Sequence, residues 1–332
     1  MGVAVVMCGS AGLGRAIVRR LADDGWDVAV IAREEGRLAA TIAEVEQRGG
    51  RATAVSADVA DAQAIEAAAA RIEAELGPIE LWINGPITAV HGEFLDIDPA
   101  DFERVTDVTY HGLVNGTRAA LARMVPRDRG HVIQISSALA HRGIPLLSAY
   151  CAAKGASRIF TESVTSELLH QRSRVRISQI DMPALNTPFY SWVKSLRPTR
   201  SRPVPIIFEP EVGARVVATV VRRPRRRTWV GEPTLVAILG NRVSGRLLDR
   251  LAATFGYRVQ EARSAKGPML APNLYEAVRA DVAAHGDFGG EAVTWSPQVW
   301  AVLHRRTASA AGLLAAGVAA GAGAVALRRR AG

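Results

Sequence analysis

Short, solid apolar runs alternate along this chain with longer segments whose apolar positions recur every three or four residues. Solid runs of roughly four to eight residues read as strands buried on both faces, and the longer periodic segments as helices with one face inward. Strands are predicted over 3–7, 27–32, 52–56, 79–84, 131–136, 174–180 and 228–231, and helices over 13–24, 34–48, 61–76, 99–124, 148–171 and 209–222. Their regular alternation implies repeated β-α-β units and predicts an α/β protein: a doubly wound, parallel, seven-stranded sheet with helices on both faces. The pattern fades over 186–208, which is rich in Pro, Arg and aromatic residues. It fades again over 232–306, where Pro and Gly are scattered and an irregular C-terminal extension is expected. The chain thus divides into a core over 1–235, an extension over 236–306 and an Ala/Gly-rich tail over 307–332.

Composition narrows the class. An apolar fraction of 48 % is ample for a large core in 332 residues. Two cysteines, Cys8 and Cys151, make no disulfide framework, and the N-terminus enters a strand without a basic leader, so a cytoplasmic location is expected. The formal charge of +9 raises the question of nucleic acid. Much of that excess sits in Arg222–Arg227 and Arg328–Arg330, and neither a zinc-ligand set nor a helix-turn-helix pattern accompanies it; no nucleic-acid partner and no metal are expected.

The basic residues carry the chemical signal. Of 41, only three are lysine: Lys154, Lys194 and Lys266. One of these stands four residues after Tyr150, so a helix would present both on one face. Lysine moves protons readily and arginine does not. An ammonium beside a phenol favours the phenolate and lowers the tyrosine pKa, which suits a general acid/base near neutrality. Ser137 lies 13 residues before Tyr150, at the end of the predicted strand His131–Ser136. Hydroxyl, phenol and ammonium would then converge at the carboxyl ends of the strands, where open α/β sheets bind ligands.

This Ser…Tyr-x-x-x-Lys arrangement resembles the short-chain dehydrogenase/reductase family, over about residues 3–231. The resemblance implies a Rossmann-type fold and an oxidoreductase moving a hydride between a nicotinamide and a carbonyl or secondary alcohol. Tyr150 would be the acid/base, Lys154 would depress its pKa and hold the nicotinamide ribose, and Ser137 would bind the substrate oxygen. The protein would be a homodimer or homotetramer, with 186–208 as a mobile lid. The lid aromatics Phe189, Tyr190 and Trp192, with Phe208, point to a lipophilic carbonyl compound as the small-molecule partner.

The first strand leads into Cys8-Gly9-Ser10-Ala11-Gly12-Leu13-Gly14, where a phosphate-binding glycine loop belongs. The family's first glycine is replaced by Cys8, with Gly9 adjacent to serve the turn. The second strand ends at Ala32-Arg33, with no carboxylate to hold a ribose 2′-hydroxyl and a guanidinium suited to a 2′-phosphate. NADP(H) is therefore expected over NAD(H), with Arg15 near the same group. Asp58 matches the family's adenine-contacting aspartate and Thr187 its nicotinamide-contacting threonine. The family's Asn-Asn-Ala-Gly appears as Asn84-Gly-Pro-Ile, so only Asn84 carries over. The family's active-site asparagine is Thr109 here, which puts the proton relay in question. A second reading, a dinucleotide-binding sensor or scaffold with weak chemistry, draws on these departures.

Thr307 to Leu327 carries no charge and is flanked by His304-Arg-Arg306 and Arg328-Arg-Arg330. Its length fits a bilayer span, and Gly317-Val-Ala-Ala-Gly321 fits close helix approach in a membrane. Its Ala/Gly richness fits a flexible tail equally well, so membrane contact and its absence both stay open.

Overall fold

The computed structural model describes residues 2–262, 270–280, 282–305 and 307. Its centre is a seven-stranded parallel sheet. In chain order the strands are β1 (Val3–Met7), β2 (Asp27–Ala32), β3 (Ala52–Ser56), β4 (Ile79–Asn84), β5 (His131–Ser137), β6 (Arg176–Met182) and β7 (Arg227–Trp229). Across the sheet they run β7-β6-β5-β4-β1-β2-β3. The winding reverses between β1 and β4, which makes the crevice above their carboxyl ends the switch point where such sheets take ligands.

The helices are α1 (Gly12–Asp23), α2 (Glu35–Glu46), α3 (Ala62–Leu76), α4 (Pro99–Thr106), α5 (Gly112–Met124), α6 (Ser148–His170), α7 (Pro210–Arg222), α8 (Glu232–Val243), α9 (Gly245–Gln260) and α10 (Pro297–Leu303). Several begin on local sequence signals: the side chains of Glu34, Asp61 and Asp98 accept from backbone N–H groups of the first turns of α2, α3 and α4. Successive strand residues point to opposite faces, so Val6, Ile83 and Ile180 pack against α1 and α7. Val5, Trp82 and Val132 pack on the other side against α3 and α5.

Several boundaries shift by one or two residues from the sequence expectations, and three differences bear on the site. β6 runs to Met182, two residues beyond the predicted end. The single helix predicted over 99–124 carries a π turn at Asp107–His111 between α4 and α5, an inserted residue that a 3.6-residue period does not reveal. The expectation of an irregular extension is corrected over 232–260, which form α8 and α9. Pro233 lies in the first turn of α8, where its missing N–H costs no hydrogen bond, and Gly231 and Gly245 sit at helix starts, so these residues mark ends rather than disorder. The described residues of 270–296 contain no regular helix. Among the described residues no helix is long and apolar enough to cross a membrane; the uncharged run 307–327 lies, after Thr307, outside them.

Candidate active site

Ser137 ends β5, and its Oγ accepts from the Leu139 N–H at 3.1 Å, capping the short turn Ala138–Ala140. Tyr150 and Lys154 lie one turn apart near the start of α6, both buried. The Tyr150 hydroxyl hydrogen-bonds Ser137. Lys154 Nζ donates to the carbonyls of Ile135 (3.0 Å) and Pro86 (3.2 Å) and lies 5.9 Å from the Tyr150 ring centre. The unusual Gly85-Pro86 segment thus still turns a carbonyl onto the lysine.

Burial dominates the electrostatics of this group. It pushes the Lys154 ammonium down to about 8, with Cys8 and Asp181 opposing. It pushes the Tyr150 phenol above its ordinary value, the Ser137 hydrogen bond only partly opposing. The expected lowering of the phenol by Lys154 does not appear: burial sets the direction, Cys151 adds to it and only Ser137 opposes. Burial likewise lifts the Cys8 thiol to about 11, so it is protonated at neutral pH.

These groups face a cavity of about 390 Å³ that also receives Ser10, Gly12, Leu13 and Gly14 of the glycine loop, with Arg33, Asp58 and Thr187. Gly12 has φ +54° and packs on Thr187, and a Cβ on Gly14 would collide with the Cys8 carbonyl. The turn that Gly9 was expected to serve is made by Cys8 itself, at φ 59°, a conformation that costs a non-glycine residue about 1–3 kcal/mol. Close helix–strand contact at a glycine-rich helix start is what a dinucleotide phosphate requires, so these residues fit the group the loop implies.

Three sequence candidates do not line the cavity: Gly9, which lies against Val30 and Val18, Asn84 and Thr109. Asn84 is fully buried and does not line the cavity: its Oδ1 accepts from Trp82 Nε1 at 2.8 Å and its Nδ2 donates to Gln134 Oε1 at 2.9 Å. Thr109 spends its hydroxyl on the backbone of Thr88, accepting from the N–H and donating to the carbonyl, each at 3.1 Å. Phe208, grouped with the lid aromatics, is core, whereas Phe189, Tyr190 and Trp192 line the cavity. The lid is laced to its surroundings: Lys194–Ser195 pairs with Val90–His91, and Arg200–Ser201 with Glu261–Ala262.

Sequence reasoning missed a strap. The described residues of 270–293 cross the crevice beside Arg33 and Asp58, with carbonyls of 273–275, 278, 280 and 282 turned onto arginines. Arg33 donates to Tyr275 O (2.7 Å), Asn273 O (2.8 Å) and Asn273 Oδ1 (2.7 Å), and lies 4.0 Å from Asp58. Arg37 reaches Val278 O and stacks 5.5 Å from the Trp192 ring centre. Arg104 holds both Leu274 O and Asp58. Burial works against charge on Asp58, but the Ala60 N–H and Arg104 outweigh it and keep the carboxyl below its ordinary range. Arg15, expected near a 2′-phosphate, pairs with Glu44 at 2.9 Å and donates to Val282 O at 3.3 Å. The Gly12 N–H donates to Ala283 O at 3.0 Å, and His285 meets Glu211 at 3.0 Å. The strap's own residues show no periodicity; the signal for it lay in Arg33 and Arg37, two guanidiniums needing acceptors.

The short chain dehydrogenase profile matches residues 2–195. The chain belongs to the short-chain dehydrogenase family. An uncharacterized oxidoreductase of Bacillus subtilis, YxnA, is 29 % identical over 280 residues, 83 % of this chain and 78 % of that one. A fatty acyl-CoA reductase of Acinetobacter baylyi is 31 % identical over 229 residues, covering 68 % and 74 % respectively. A metagenomic short-chain oxidoreductase solved in complex with NADP is 26 % identical, with a TM-score of 0.58 over 69 % of this chain and 96 % of that one. This short-chain dehydrogenase is accordingly an oxidoreductase with a nicotinamide-binding fold.

Proposed function

We propose that the protein is an NADP(H)-dependent reductase of lipophilic carbonyl compounds, with Tyr150 as its general acid. The observation that carries this reading is the meeting of Ser137, Tyr150 and Lys154 on one wall of a largely apolar cavity that is continuous with the glycine loop. When bound, the nicotinamide supplies the hydride. Ser137 and Tyr150 would hydrogen-bond the carbonyl oxygen, and Tyr150 would deliver its proton there as charge develops. Lys154 has two of its three N–H groups on carbonyls; the third would hold the ribose. The phenol's raised pKa keeps it protonated at neutral pH, the form a general acid needs.

Support for the 2′-phosphate is the absence of a carboxylate at Ala32-Arg33 and a relative solved with NADP. Arg33 would have to share its fork with the strap. Support for a lipophilic substrate is the lining of Leu139, Ile144, Leu147, Phe189, Trp192 and Val204, together with a relative named for reducing fatty acyl-CoA. The sensor reading draws on Thr109, whose hydroxyl is committed to Thr88.

The test is NADPH against NADH consumption with a panel of lipophilic aldehydes and ketones. Tyr150→Phe should lower kcat by at least about a hundredfold, the scale of general acid catalysis, with NADPH affinity nearly unchanged. Tight NADPH binding without turnover on any panel member would favour the sensor.

A further inference from the structure

We propose that the hairpin of α8 and α9 is a docking surface for the interface of an anionic lipid bilayer. Along it, Val236, Leu239, Val243, Leu247, Leu251 and Phe255 recur every three or four residues and are all exposed, Val243 by 87 %. Within each helix that spacing makes an apolar stripe on the exposed face, Val236, Leu239 and Val243 on α8 and Leu247, Leu251 and Phe255 on α9. A contiguous stripe of large apolar side chains is uncommon on a soluble surface and marks contact with another apolar phase. The inner side of the same hairpin builds the substrate end of the cavity, through Pro233 and Ala237 of α8 and Gln260 of α9.

The charges beside the stripe choose the partner. Arg242, Arg246, Arg250 and Arg258 are exposed on these helices. Of their two acidic residues, Asp249 is exposed but paired with Arg142 at 2.5 Å, and Glu232 accepts from the Gln298 N–H at 3.2 Å. An apolar stripe bordered by arginines is the pattern of a helix lying in a membrane interface, its cations on anionic headgroups. A two-fold contact between copies through this face would instead bring the same arginines of both chains together. Where the chain leads next agrees. α10 is tied to the base of α8, Gln298 Oε1 accepting from the Gly231 N–H at 2.6 Å, and soon after α10 the uncharged run 307–327 begins, flanked by arginines. Docked in this way, the hairpin would place the substrate end of the cavity beside the bilayer, the source of an apolar substrate. The surface stands on its own exposure and charge, whatever the enzyme reduces.

The test uses the full-length chain carrying an environment-sensitive fluorophore at Leu247→Cys, mixed with vesicles of phosphatidylglycerol and phosphatidylcholine or of phosphatidylcholine alone. The expected result is a blue shift on the anionic vesicles that weakens with salt. In the unlabelled full chain, Val243→Glu with Leu251→Glu should lower vesicle affinity at least about tenfold, the loss expected when a side chain no longer enters the apolar phase. Circular dichroism and NADPH affinity should be retained. A chain that floats with vesicles without a blue shift at Leu247, or whose glutamate variant floats equally well, overturns the proposal and assigns membrane contact to the tail. A sedimentation change from dimer to monomer in the glutamate variant, without vesicle binding by the wild type, overturns it in favour of a contact between copies.

Discussion

Two residues one helical turn apart carry opposite consequences of the same burial. Tyr150 is held protonated, ready to donate; Lys154 is brought down to about 8 from an ordinary 10.5. Between those two values the unfolded chain keeps a lysine proton that the folded chain has lost, so this group's contribution to stability rises with pH across that window. The catalytic consequence runs the other way, because the ammonium is lost above about 8. The kcat/KM for carbonyl reduction should therefore fall above about pH 8 in the free enzyme. A pH–rate profile flat to pH 10 would show that Lys154 stays charged. Cys8 makes a second point at this scale: a non-glycine residue takes the left-handed turn before the glycine loop, and its protonated thiol adds no charge to the phosphate crevice.

Among the elements, the strap over the cofactor crevice departs most from what periodicity can foretell. Its hold on Arg33 consists of three hydrogen bonds, one of them from a side chain, Asn273 Oδ1 at 2.7 Å. Asn273→Ala removes that one bond and leaves the carbonyls. Amide exchange across 273–280 should then accelerate about tenfold, the effect of losing one hydrogen bond to a charged group. Arg33→Ala should accelerate it further. Exchange unchanged in both variants, read by mass spectrometry, would mean that the strap is held by its ends, where Asn273 N–H meets Trp192 O and Val293 N–H meets Ile207 O. The π turn between α4 and α5 belongs to the same scale. It places Thr109 on the Thr88 backbone, so the residue standing where the family has its asparagine serves the loop after β4 instead of the cavity.

At the scale of the whole molecule, the two layers of helices close on the sheet with little tolerance. Gly116 of α5 lies against Met7 of β1 and Asn84 of β4, and a Cβ there would overlap both side chains. Gly116→Ala should destabilise the fold by about 1–3 kcal/mol, seen as a lower urea midpoint with an unchanged slope. An unchanged midpoint would mean that α5 can ride outward from the sheet.

The sheet, its seven strands and the Ser137–Tyr150–Lys154 group were legible in the chain because each rests on short-range rules. Apolar runs set strands, helical spacing puts Tyr150 and Lys154 on one face, and glycine positions after β1 mark the loop. What only the tertiary structure decided depends on partners distant in sequence. The carbonyls of Asn273, Tyr275 and Val278 find arginines some 240 residues away, burial sets the direction of the Tyr150 pKa, and Asn84 turns into the core rather than the crevice. The outer face of α8 and α9 belongs with these: an apolar position reads the same in sequence whether the fold covers it or leaves it to solvent.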